Sequence, residues 1–142
     1  MSKSDLIGTW KFMSMVLKSG TGKTVYPYGK NVFGILIYTP GGYMSALLMD
    51  PERKKFASDD LKSGTAEEIK QAHEKFDAYC GTYTVDENKG TVTHHVEGAK
   101  FPNWVGTDQV RYFELKGDRL RIKATLKVEG KDWQGEATLQ RL

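Results

Sequence analysis

The sequence predicts an all-β fold, an eight-stranded up-and-down antiparallel barrel with one helix inserted between strands three and four. Two segments near the C-terminus, 119–128 and 132–142, alternate apolar and polar residues at the two-residue period of a β-strand. Short turns separate most of the predicted strands, so neighbours along the chain should pair as hairpins. Such strands close most simply into a barrel, which removes exposed edges. A sandwich is the alternative architecture.

The predicted strands cover most of the chain and follow one another in meander order. They span residues 8–17, 32–39, 43–49, 81–86, 91–97, 108–116, 119–128 and 132–142. In the first strand both faces carry apolar residues, so alternation alone does not decide which face points inward. One face holds Trp10, Phe12, Ser14 and Val16, and the other holds Lys11, Met13, Met15 and Leu17.

A single helix is predicted between the third and fourth of these strands. Thr65 is a suitable N-cap, and Glu68 three residues later completes a capping box. An apolar face follows at helical spacing, so this helix should cover a surface. That face holds Ile69, Ala72, His73, Phe76 and Tyr79.

Length and composition indicate one domain, residues 1–142. The net charge of +3 comes from 21 basic and 18 acidic residues, which is too balanced to favour nucleic acid. The single cysteine, Cys80, rules out an internal disulfide and is expected to be a small buried apolar residue. No apolar leader or span is present, so we expect a cytoplasmic monomer or homodimer that does not bind membranes.

The stretch 93–115 holds the strongest candidates for a site, because a histidine pair and an arginine flank an aromatic loop. His94 shares a face with Val92 and Val96 and should point inward, whereas His95 should point outward. An inward histidine can move a proton or bind a ligand. It can equally be a core histidine whose hydrogen bonds are satisfied internally.

Arg111 shares a face with Phe113 and Leu115, which indicates an inward position. A buried arginine is costly unless it is paired, so it suggests a ligand that is anionic or carries a carbonyl. An internal ion pair is one alternative. The other is a register that turns Arg111 outward.

Aromatic residues are expected around the same pocket. Tyr38 and Tyr83 could offer hydroxyls to the polar end of a ligand, or could simply pack with their hydroxyls at the rim. The loop that contains Phe101 and Trp104 should plug or gate the barrel. Asp108 could orient His94, although a turn role is the commoner one.

Other kinds of site have little support. The sequence lacks a nucleophile elbow, a Cys-x-x-Cys pair and an H-E-x-x-H motif, so no metal or cofactor is expected. His95 and Glu97 alone would make a weak metal site. A basic row on the seventh strand could touch phosphates but is more simply a solvated face; it comprises Arg119, Arg121, Lys123 and Lys127.

Several segments carry a family resemblance. Gly8-Thr9-Trp10 resembles the G-x-W signature of lipocalins, in which the tryptophan packs across the barrel bottom against a late basic residue; Arg141 stands where that partner would be. More closely, the chain resembles the small lipocalin-like domain family of bacteria and fungi. The segments that carry this resemblance are 6–10, 36–40, 44–46, 79–81 and, above all, 92–113.

The resemblance implies an eight-stranded barrel with a pocket for a small, mostly apolar molecule. Some lipocalin-like proteins in biosynthetic pathways act as cyclases, isomerases or dehydratases. This chain departs from secreted lipocalins in the position of its helix and in having no disulfide pair, so transport between cells is not implied.

Three functions follow as hypotheses. The first is binding of a small hydrophobic molecule with one polar or anionic group, whose polar end would be held by Tyr83, His94 and Arg111. Tyr38, Trp104 and Phe113 would be further ligand contacts. The apolar wall and floor would be Trp10, Phe12, Phe113, Leu120, Ile122 and Leu139. The second is a cofactor-independent isomerase, cyclase or dehydratase acting on a carbonyl substrate, with His94 and Arg111 as its catalytic residues. The third is an interaction module whose barrel is filled by its own side chains.

Overall fold

The structure, a computed structural model, describes residues 2–142. Within these residues the chain forms nine β-strands, two α-helices and one short 3-10 helix. In chain order the elements are α1 (Lys3–Leu6), β1 (Gly8–Lys18), β2 (Thr24–Val25), β3 (Phe33–Tyr38), β4 (Tyr43–Met49), α2 (Ala66–Glu74), β5 (Phe76–Asp86), β6 (Thr91–Ala99), the 3-10 helix Pro102–Trp104, β7 (Asp108–Lys116), β8 (Arg119–Val128) and β9 (Lys131–Arg141).

The sheet closes on itself. Strands β3 to β9 pair antiparallel in sequence order, and β1 pairs with both β3 and β9. The predicted eight-stranded antiparallel barrel is therefore confirmed. The ninth strand, β2, pairs only with the end of β1 and lies outside the barrel. None of the helices in residues 2–142 is long and apolar enough to cross a membrane.

The short strand β2 changes the number of strands that precede the helix. The helix was expected between strands three and four, but α2 lies between β4 and β5. The difference arises because Thr24 and Val25 pair with Lys18 and Leu17 and so form an additional strand before β3. A strand of two residues is too short to produce an alternating sequence pattern, so it escaped prediction.

A β-bulge in β1 explains why both faces of that strand carry apolar residues. The pairing with β9 shifts register between Phe12 and Ser14. Trp10 and Phe12 are buried before the shift, and Leu17 is buried after it. The extra residue of a bulge reverses which alternate positions of the strand point inward. The inward residues are therefore even-numbered before the bulge and odd-numbered after it, which places apolar residues in both alternating sets.

The helix α2 begins where predicted but ends earlier than its apolar spacing suggested. Thr65 caps the helix, and the reciprocal hydrogen bonds with Glu68 are both present. The helix stops at Glu74, and Phe76 and Tyr79 belong to β5 instead. Backbone pairing of residues 76–82 with β4 outweighs the local helical pattern. None of the helical residues is buried, so α2 covers little of the barrel.

The apolar faces of the last two strands form much of the core, as predicted from their alternation. Leu120, Ile122 and Ala124 of β8 are buried, and so are Ala137 and Leu139 of β9. The expectation for Cys80 was wrong, because its side chain is exposed. On β5 the inward positions are Tyr79 and Gly81, so the residue between them faces solvent.

Candidate functional site

One end of the barrel is closed by Trp10 and Arg141. The Trp10 side chain is fully buried, and its indole Nε1 donates a hydrogen bond to the Leu6 carbonyl at 2.9 Å. The Arg141 guanidinium carbon lies 4.2 Å from the centroid of the Trp10 ring. A Cβ atom at Gly8 would lie 2.8 Å from Arg141 Nη1, so a larger residue there would require the guanidinium to shift. The structure thus contains the Trp–Arg packing that the G-x-W resemblance implies.

A cavity of about 90 Å³ begins at Phe12, the next inward residue of β1 after Trp10. All the space between the lining atoms, including open solvent at the mouth, amounts to about 630 Å³. Most of its wall is apolar, as in most sites for small organic ligands. The apolar lining consists of Phe12, Met15, Leu36, Ala46, Leu48, Ile122, Ala124, Leu126, Gly135 and Ala137.

The polar side chains of the cavity come mainly from three adjacent strands, β5 to β7. Asp77 and Tyr79 lie two residues apart on β5 and therefore share its inward face. His94 comes from β6 and Arg111 from β7, and both line the same cavity. Tyr28, in the segment between β2 and β3, completes the polar set.

His94 is held between two tyrosine hydroxyls. Its side chain is only 1% exposed, with the Tyr38 hydroxyl 2.7 Å from Nε2 and the Tyr79 hydroxyl 2.8 Å from Nδ1. Burial and, to a lesser extent, electrostatic interactions with Arg111 and His95 lower the pKa of His94 to about 3. The imidazole is therefore neutral at physiological pH, and both of its nitrogens are occupied by protein partners.

Arg111 is a buried cation without a close anionic partner. The side chain is 8% exposed, and its guanidinium carbon lies 5.4 Å from the centroid of the Trp104 ring. Across residues 2–142, no carboxylate oxygen comes within the 4.0 Å of an ion pair with Arg111. A buried charge of this kind is stabilised by any ligand oxygen that accepts its hydrogen bonds.

Asp77 supplies the negative charge of the cavity. Burial raises the pKa of its carboxyl group, while Lys100 and, more weakly, Arg111 oppose that rise. Burial and the nearby Asp77 also raise the pKa of the Tyr28 hydroxyl. The cavity therefore holds one cation, one carboxylate and three neutral polar side chains.

The aromatic loop, which contains Phe101 and Trp104, lies next to the polar residues of the cavity but outside the cavity itself. The Trp104 ring meets the Tyr79 ring edge-on, at 5.4 Å between centroids, and also contacts Arg111. Phe101 packs beside Trp104 but is 46% exposed. Trp104 is not one of the residues that line the cavity, so in this structure the loop supports the site and does not plug it.

The structure brings some of the predicted residues to the cavity and keeps others away. His94, Arg111, Phe12 and Ile122 line it. Of the predicted ligand contacts, Tyr38 and Phe113 are buried beside the site but do not line the cavity. Tyr83 does not line it either, and its hydroxyl donates a hydrogen bond to the Thr39 carbonyl at 2.8 Å. Three predicted wall residues lie deeper in the core, at Trp10, Leu120 and Leu139.

Asp108 does not orient His94. Its carboxylate lies 2.7 Å from Nδ1 of His95, on the outer face of the barrel. The two histidines point to opposite sides of β6, as predicted, so the carboxylate at the end of the loop reaches only the outer one. Among residues 2–142, no group of three or more suitable side chains could hold a metal ion.

Sequence reasoning missed three polar residues of the cavity: Tyr28, Asp77 and Tyr79. The helical spacing places Tyr79 on the helix, and the predicted strand begins at residue 81, after Asp77. Both share the inward parity of Tyr83, so extending the β5 alternation toward the N-terminus would have found them. Tyr28 lies in a segment without periodicity, and no sequence pattern pointed to it.

Comparison with known proteins agrees with this architecture. A family model described as a lipocalin-like domain matches residues 7–142. A 4'-hydroxy-3'-methoxypropiophenone carrier protein, ppsC, from Aspergillus oryzae is 38% identical over 85 residues, which cover 56% of this chain and 77% of the relative. The model spans nearly the whole chain, and the closed barrel has the expected Trp10–Arg141 contact. The chain therefore belongs to the lipocalin-like domain family.

Proposed function

We propose that this protein is a carrier that binds one small, mostly hydrophobic molecule in the barrel cavity and holds a polar oxygen of that molecule at Arg111. The observation that carries the proposal is the cavity itself, in which an apolar wall meets a buried guanidinium without a close carboxylate. A relative described as the carrier of an aryl ketone supports the same kind of ligand.

The dimensions of the cavity favour a ligand about the size of one aromatic ring. An apolar cavity of roughly 150 Å³ can bind benzene. The cavity found here, at about 90 Å³, is somewhat smaller than that. Met15 and Leu126 belong to the lining, and methionine side chains adapt easily to a guest. We therefore expect a ring to enter by small side-chain movements, with any substituents extending into the mouth.

The two other hypotheses have less support. A proton-transfer role for His94 is disfavoured because both of its ring nitrogens already have tyrosine partners and its pKa is lowered to about 3. A filled barrel is disfavoured by the cavity. A location in the cytoplasm stays a prediction that fits a fold without disulfides.

Filling the cavity should abolish tight binding. The side chain of Ala124 lines the cavity, so Ala124→Leu places three extra carbon atoms in the space that the ligand needs. We expect the affinity for 4'-hydroxy-3'-methoxypropiophenone, measured by isothermal titration calorimetry, to fall by about five- to 150-fold, since steric overlap in a packed interior costs roughly 1–3 kcal/mol.

The matched control is Ala66→Leu, which adds the same atoms at an exposed position of α2. This variant should bind the ketone as the unmodified protein does. Equal affinities for all three proteins would show that the ligand binds elsewhere, and the carrier proposal in its present form would be wrong.

A further inference from the structure

The hydrogen bonds around His94 determine which of its nitrogens carries the proton. A neutral imidazole has one N–H donor and one acceptor nitrogen. Tyr38 is 1% exposed, and within residues 2–142 its hydroxyl has one hydrogen-bond partner, Nε2 of His94. The Tyr79 hydroxyl, on the other nitrogen, belongs to a residue that lines the cavity.

Within the described part of the chain, each arrangement leaves one phenol O–H without a protein acceptor, and only one of them places that O–H at the cavity. If Nε2 carried the proton, it would donate to the Tyr38 oxygen, and the Tyr38 O–H would then have no acceptor. An unsatisfied buried donor costs roughly 1–3 kcal/mol. If Tyr38 donates to Nε2 instead, the proton sits on Nδ1 and is donated to the Tyr79 oxygen. The second arrangement is therefore the stable one.

In this arrangement the Tyr79 O–H is not used by His94 and can point into the cavity. Arg111 lies beside the same hydroxyl, and its positive charge opposes the rise in the Tyr79 pKa that burial causes. Two donors, a phenol O–H and a guanidinium N–H, are thus available together at the polar end of an otherwise apolar cavity.

We propose that Tyr79 is a dedicated hydrogen-bond donor to the ligand and that, with Arg111, it selects molecules with a carbonyl oxygen. This inference rests on the proposed carrier function and names the class of ligand. A carbonyl oxygen has two lone pairs and no proton of its own, so it can accept both hydrogen bonds. A ligand hydroxyl at the same place would bring a proton that needs a further acceptor.

The charges of the cavity favour an uncharged carbonyl compound over a carboxylic acid. Arg111 and Asp77 line the same cavity with opposite charges. A carboxylate ligand would gain the attraction of Arg111 but would be repelled by the Asp77 carboxylate in a poorly solvated space. A ketone or aldehyde gains both hydrogen bonds without that repulsion.

The test compares two probes that differ only at the carbonyl group. They are 4'-hydroxy-3'-methoxypropiophenone and 2-methoxy-4-propylphenol, in which a methylene replaces the ketone. We expect the unmodified protein to prefer the ketone by roughly five- to tenfold. Tyr79→Phe should remove most of that preference, weakening the ketone by roughly five- to tenfold and the methylene compound by less than about twofold, in keeping with the loss of one hydrogen bond.

Tyr83→Phe is the matched control, because it removes a buried phenol hydroxyl that bonds to the Thr39 carbonyl and does not line the cavity. It should change neither affinity. A Tyr79→Phe variant that binds the ketone unchanged, or that loses both probes equally, would overturn the inference but leave the carrier proposal standing. If neither probe binds the unmodified protein, the carrier proposal fails and the inference fails with it.

A second measurement reads the proton position directly. In protein labelled with ¹⁵N at histidine, Nδ1 of His94 should give the shift of a protonated nitrogen and Nε2 that of an unprotonated one. Tyr38→Phe removes the donor to Nε2 and should move both shifts toward a mixture of the two tautomers. The opposite assignment in the unmodified protein would refute the proposed role of Tyr79.

Discussion

Replacing Trp10 with alanine should lower the free energy of unfolding by about 4 kcal/mol. The ring is completely buried at the closed end of the barrel, and the substitution would leave a cavity that the surrounding strands cannot fill. It would also remove the indole donor from the Leu6 carbonyl and the aromatic face from Arg141. Urea unfolding, followed by far-UV circular dichroism, measures the loss.

The control for this prediction is Trp133→Ala. Trp133 lies on β9 beside the β8–β9 turn and is only partly buried. We expect it to cost less than half as much as Trp10→Ala, because less apolar surface is lost from the core. Equal losses for the two tryptophans would mean that the Trp10–Arg141 contact has no special part in closing the barrel.

Acidification should destabilise the protein through His94. The unfolded chain binds a proton at this histidine near its ordinary pKa of 6.5, whereas the folded pKa is lowered to about 3. The unfolded state therefore holds more protons between these values, so the free energy of unfolding falls as the pH drops from 6.5 toward 3. Between pH 6.5 and pH 4 the His94 contribution should fall by about 3 kcal/mol. Above pH 6.5 it is fully present.

Comparison of two neighbouring variants isolates this effect. His94→Gln should flatten the dependence of stability on pH between 4 and 6.5, when urea unfolding is measured at several pH values. His95→Gln should keep the slope, because His95 faces outward and is only half-buried. Asp77, whose pKa is raised, contributes with the opposite sign in every protein compared. An unchanged slope in His94→Gln would contradict the role given to this buried imidazole.

Much of the fold could be predicted because its determinants are local. The alternation in β8 and β9, the turns between strands and the capping box at Thr65 each depend on residues close in sequence. Two features depend on pairing between distant segments, and local patterns could not provide them. The bulge in β1 arises from its register with β9, and the residues from Phe76 to Tyr79 fit a helix as well as a strand until β4 pairs with them.

The site was predictable only in part for the same reason. The inward positions of His94 and Arg111 follow from the parity of their apolar neighbours on each strand. The hydroxyl that meets Nε2 of His94 comes from Tyr38, 56 residues earlier in the chain. Closure of the barrel determines which tyrosines line the cavity. Tyr38 and Tyr83 lie outside the lining and are therefore not direct ligand contacts in this structure.

The most direct test of the account asks whether the ligand lies inside the barrel. Intermolecular nuclear Overhauser effects can be recorded between 4'-hydroxy-3'-methoxypropiophenone and protein labelled at alanine methyl groups. The account predicts contacts from the ring and chain protons to three alanines of the cavity, Ala46, Ala124 and Ala137, and none to Ala66 on the outer helix. Binding without contacts to the three cavity alanines, or no binding at millimolar ligand, would contradict a carrier function for this cavity.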